Sequence, residues 1–197
     1  MALAAGAIAA VGVTHLIDFG AYHLRYRILN ANSAASWSHL VVAGVFAVGA
    51  VVCVTSAWRS PASRAAWLAT GVMLVPLFFV GEAAGVHAEI DALSHGRLLY
   101  APILALLVYC VWHITRAGAY FAIARAGAML LVASYAIHVL EPHNIARALG
   151  WSEGGWGFQI VVALKEGTEL AGVLLALLAL CGAALAAVQA KPLTSSV

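Results

Sequence analysis

Charge is the scarcest commodity in this 197-residue chain: Asp, Glu, Lys and Arg together make up 9% of it, against about 25% in a soluble domain. So few charged groups cannot clothe a water-exposed surface. With 64% hydrophobic residues and a mean hydropathy of +0.97, the apolar excess is too large for a water-soluble core. The basic residues are dispersed and the net charge is only +2, which excludes nucleic acid as a partner and also a polybasic lipid-binding arm. Cysteine is equally sparse. Cys53, Cys110 and Cys181 each fall within an apolar run and share no spacing, so a disulfide framework and a redox pair are excluded and small buried hydrophobes remain. The apolar N-terminal stretch lacks a basic leader region, and His15 and Asp18 stand where a cleavage region would be; it is expected to be retained as a first membrane helix. No internal repeat is visible.

What the chain has is length in apolar runs. Six can be marked, over 2–20, 39–58, 65–85, 98–115, 120–140 and 158–188. Their connections are mostly short: Arg59-Ser60-Pro61 and Arg116-Ala117-Gly118 read as tight turns between antiparallel neighbours. The expected fold is therefore all-α, a polytopic membrane helix bundle of about six transmembrane helices. One transmembrane domain spans 1–190, and a short tail covers 191–197. Two connections are longer. Residues 21–38 open with Tyr22, His23, Arg25, Tyr26 and Arg27, and 141–157 mix glycines with Trp151 and Trp156. Both suit the headgroup region, where aromatic and basic side chains anchor. Pro76 and Pro102 are expected to kink the third and fourth helices and open a cavity.

The last run is the anomaly. Lys165, Glu166 and Glu169 lie inside an otherwise apolar segment, although each ionisable side chain costs about 2.5–3.5 kcal/mol or more near a bilayer centre. Glu166 and Glu169 are three residues apart, so both carboxylates share a helix face. With neighbouring helices antiparallel, the other acids (Asp18, Glu82, Glu89, Asp91, Glu141 and Glu153) all fall at one end of the bundle. Seven of the eight histidines join them there, leaving His113 at the opposite end. With the N-terminus cytoplasmic, five basic residues face inward and Arg25, Arg27, Arg97 and Arg147 face outward. That is a weak orientation signal; it is read as both termini inside a bacterial-type plasma membrane.

Four helices thus bring His or carboxylate groups to one end at helical spacing. His15 and Asp18 form an i,i+3 pair, as do His138 and Glu141; Glu82 ends the third segment; Glu166 and Glu169 lie one to two turns deeper. Helix bundles build metal–carboxylate sites from such an inventory. The primary expectation is a transition-metal site, with Fe, Cu or Zn held by His15, Asp18, Glu82, His138, Glu141, Glu166 and Glu169. Its chemistry would be oxidoreductase-like if the metal is redox-active and hydrolytic if it is zinc. A b-type haem on His15 and His138 reads the same residues differently. A third reading is proton or cation transport through Glu166 and Glu169. The plainest is a buried ion-pair network, with Lys165 on Glu169 and Glu166 on an arginine or His138. It suits an accessory subunit whose partners are the lipid bilayer and either other membrane subunits or a second copy of the chain.

Overall fold

The computed structural model of the protein describes residues 1–33, 35–77, 98 and 100–189, and among these every regular element is helical. The helices are α1 (Ala2–Tyr22), α2 (Trp37–Arg59), α3 (Arg64–Pro76), α4 (Tyr100–Thr115), α5 (Phe121–Leu140), α6 (Pro142–Ala148) and α7 (Trp156–Gln189). Four of them, α1, α2, α5 and α7, are long and apolar enough to cross a membrane, which makes the chain an integral membrane protein. The expected third segment, 65–85, runs beyond the described residues, and α4 has 16 residues. Pro102 lies near the described start of α4, a part of a helix in which proline is tolerated.

At 34 residues α7 extends about 51 Å at 1.5 Å per residue. It is buried around much of its circumference, from Val161 and Val162 through Leu170 and Ala171 to Leu180. A helix apolar on all faces seeks the middle of a bundle, and α5, α1, α2 and, less extensively, α4 pack against α7, with α3 against α2 and α4. Glycine permits two of these close approaches. A Cβ at Gly127 of α5 would stand 2.9 Å from the carbonyl oxygen of Gly172 on α7, and one at Gly167 would stand 3.1 Å from the Cα of Ile8 on α1. Backbones meet where side chains are missing, as membrane helices do when no hydrophobic drive separates them from lipid. The outward faces carry exposed Val51, Val72 and Met129, suited to acyl chains.

Two connections are folded rather than loose. After α1 the chain turns through left-handed His23 and Leu24, whose N–H groups donate to the carbonyls of Phe19 and Asp18. It returns to Ser36, which caps α2 by accepting from the N–H of His39. The Trp37 indole N–H donates to Thr14 Oγ1 at 3.0 Å, tying the start of α2 to α1. Residues 141–157, expected as a glycine-rich interfacial loop, include the short helix α6. In its last turn Arg147 pairs with Glu153 at the surface, and that guanidinium holds the Glu153 carboxyl below its ordinary range. Trp156 lies edge-on to Phe19 with ring centroids 4.8 Å apart, joining the start of α7 to the end of α1.

Candidate functional site

The residues expected to form one centre divide between two places. The first is a structural node at the end of α1. His15 is fully buried; its Nδ1 accepts from the N–H of Ala31 at 3.1 Å and its Nε2 faces Gln159 Oε1 at 2.9 Å. Because Nδ1 accepts, the ring is neutral with its proton on Nε2, donated to the glutamine. Both ring nitrogens therefore join the 23–36 connection and α7 to α1. Asp18, also fully buried, accepts from the N–H of Tyr26 through Oδ1 at 3.1 Å. His15 and Asp18 thus pin the backbone that follows α1. His15→Ala is expected to strand the Ala31 N–H and Gln159 at about 1–3 kcal/mol per group. Denaturant unfolding in detergent would show the loss, and amide exchange at Ala31 should accelerate.

The second place lies among α2, α4, α5 and α7. Here a cavity of about 180 Å³ has one polar and one apolar end. Glu169 and Lys165 reach its wall from α7, His138 and Ser134 from α5, His39 from α2 and Tyr100 from α4. The apolar wall includes Phe46, Leu104, Leu107, Leu131 and Val173. Ser134 Oγ donates toward Glu169 Oε2 at 3.5 Å. The ring of His138 lies near two phenols, its centroid 6.0 Å from that of Tyr100 and 6.5 Å from that of Tyr135.

Behind this wall Glu166 is 4% exposed, with its two carboxylate oxygens divided between partners: Oε1 accepts from Lys165 Nζ at 2.7 Å and Oε2 faces His39 Nε2 at 3.0 Å. This is the ion-pair network weighed from the sequence, with different partners: Glu166 takes His39, not an arginine or His138. A hydrogen-bonded chain of titratable groups therefore runs from His39 of α2 through buried Glu166 to Lys165, and both of its ends line the polar part of the cavity.

Of the residues expected to gather, Glu169 and His138 share the cavity and Glu166 adjoins it through Lys165. Glu141 stands apart at the end of α5, where its carboxylate accepts from Asn144 and pairs with His143 at 2.7 Å. Glu82 lies outside the described residues, as do Glu89 and Asp91. His15 and His138 belong to helices that each pack on α7 and not extensively on each other, and no group of three or more potential metal ligands occurs among the described residues. His39, Tyr100, Tyr135 and Ser134 were not candidates. Depth alone pointed to His39, in the first turn of α2; neutral hydroxyls in apolar runs give no comparable signal. No family model, curated protein or solved structure matches this chain.

Proposed function

We propose that the protein is a proton-coupled carrier of small cations, with Glu169 as the exchanging carboxylate at the cavity and with His39 and Lys165 on the same wall joined by hydrogen bonds through the buried Glu166. The reading takes the chain as six membrane spans in a single domain, with both ends on the cytoplasmic side of a bacterial-type plasma membrane. One observation carries it: the polar wall of the cavity is continuous, through the 2.7 Å Lys165–Glu166 contact, with a buried line of groups able to exchange protons. Ionisable side chains in membrane helices usually face such cavities and mark ion or proton routes.

A metal-centred site would draw on the same Glu169 and His138. The ammonium of Lys165 at that wall repels a divalent ion more than a single positive charge, which favours the proton or a monovalent cation. The test uses proteoliposomes with an acidic interior and an entrapped pH dye. Adding sodium, potassium or small organic cations outside is expected to raise the internal pH in a protein-dependent way, and a metal chelator should leave the rate unchanged. Glu169→Gln should lower the rate to that of empty vesicles. Absence of exchange with every cation tried would sink the reading.

A further inference from the structure

We infer that the connection between α1 and α2 binds the headgroup of an anionic phospholipid, with Arg25 and Arg27 on its phosphate and buried Asp18 holding the backbone that places them. This surface lies at the end of α1, apart from the cavity, and the inference does not depend on the carrier reading.

The first observation is a pair of cations without partners. Arg25 and Arg27 are exposed, and neither guanidinium has a hydrogen bond or an ion pair with a described residue. Arg64 and Arg147, by contrast, are engaged, on the Ala57 carbonyl and on Glu153. Of the described acids at this end, Asp18 accepts from the Tyr26 N–H, Glu141 meets His143 and Glu153 meets Arg147. Two residues of chain span at most about 7 Å. Both long side chains can therefore reach one phosphate, which a guanidinium binds through paired N–H groups.

The second observation is a fixed backbone. Tyr26 stands between the two arginines; its N–H donates to Asp18 Oδ1 at 3.1 Å, and its carbonyl accepts from Leu29 and Asn30. The Ile28 carbonyl accepts from the Trp37 N–H at 2.9 Å, and the Ala31 N–H donates to His15. Tied on both sides, the segment has little backbone freedom left to lose when a ligand binds. The dispersed basic residues of this chain make no polybasic arm. Two of them on a fixed turn act through placement instead of number.

The third observation chooses the source of the phosphate. Tyr22 and Tyr26 meet edge to face with ring centroids 4.9 Å apart, and they and Ile28 are each nearly half exposed. Tyr22 is the last residue of α1, a helix long and apolar enough to cross the membrane, so these rings fall at headgroup depth. A soluble anion would make no use of this apolar surface. A zwitterionic headgroup brings a cation of its own, whereas an anionic one complements both arginines.

The test is native mass spectrometry of the full chain in a non-ionic detergent, titrated with phosphatidylglycerol or phosphatidylcholine of the same acyl chains. Each basic residue near an anionic lipid contributes about fivefold in affinity, so phosphatidylglycerol should bind on the order of 20-fold more tightly. Arg25→Gln and Arg27→Gln should each weaken it about fivefold and leave phosphatidylcholine unchanged. Arg59→Gln, at the other end of the bundle, should change neither. Asp18 separates placement from charge. Asp18→Ala deletes an acid, which by charge alone would tighten an anion, yet it frees the Tyr26 N–H and is expected to weaken phosphatidylglycerol. Asp18→Asn keeps an acceptor oxygen for that N–H and should bind at least as tightly as the parent. The arginine variants, at the surface, stay informative if Asp18→Ala folds poorly. Equal affinity for the two lipids would overturn the inference, as would an equal loss from Arg59→Gln or tighter binding by Asp18→Ala. Displacement of the lipid by millimolar inorganic phosphate would overturn it too, since the site would then be one for soluble anions.

Discussion

Replacing Glu166 by alanine should be the most destabilising single change in the polar network, at about 3–5 kcal/mol. Glu166 is 4% exposed and Lys165 only 17%. Deleting the carboxylate takes from the Lys165 ammonium the countercharge it meets at 2.7 Å, in a place water reaches poorly. It also removes the partner that His39 meets at 3.0 Å. For a chain of this size the loss should lower the melting temperature in detergent by on the order of 10 °C. The decisive comparison is the double variant Lys165→Met, Glu166→Met. Removing both charges removes the desolvation cost with the attraction, and apolar replacements of buried ion pairs are often neutral or stabilising. The double variant should therefore melt close to the parent while failing to exchange protons. If the single variant melts like the parent, the pair contributes nothing to the fold and the network is not a buried one.

The second large effect is expected at the crossing of α5 and α7. A Cβ at Gly172 would lie 2.8 Å from Leu131 Cγ and 3.0 Å from both the Gly127 carbonyl oxygen and the Leu131 nitrogen. Two of those neighbours are backbone and cannot rotate away, so Gly172→Ala must push the helices apart. Overpacking of this kind costs about 1–3 kcal/mol. The shift would also reach the cavity, because Leu131 and Ser134 on α5 face Val173 and Glu169 on α7 across it. Cation binding should weaken together with stability. Gly6 is the control, since a Cβ there meets nothing within 4 Å. Gly6→Ala removes backbone freedom from the unfolded chain and should stabilise by up to about 1 kcal/mol. Opposite signs for the same substitution in two helices would show that contact, not helix propensity, governs the crossing.

Much of the architecture was legible because it follows from composition and period. Apolar runs of about twenty residues must bury their backbone in helices when the solvent is lipid, so α1, α2, α5 and α7 could be read directly. Long connections were harder. A short helix over Pro142–Ala148 rests on a proline at its start and on packing against its neighbours, and neither stands out against the surrounding glycines.

The site was legible in depth and not in partnership. Counting along antiparallel helices put the acids and all but one histidine at the same end, and Glu169 and His138 do meet at one cavity. Along a helix, Lys165 reads as a neighbour of Glu169 at i,i+4. In three dimensions its ammonium lies on Glu166, the adjacent residue, because Glu166 is fixed from its other side by His39. His15 and Asp18 carry the spacing of a ligand pair, yet they hold the backbone of Ala31 and Tyr26. That use exists only once residues 23–36 fold back over the end of α1.

The sequence by itself determined the solvent, the helical class and the end of the bundle at which Glu169 and His138 lie. Each is a sum over many residues, or a distance along a helix axis. The tertiary structure alone decided which groups share a cavity and which are consumed in holding a loop. Those contacts depend on the rotation of each helix about its axis, and that rotation is set by where glycine lets two backbones touch.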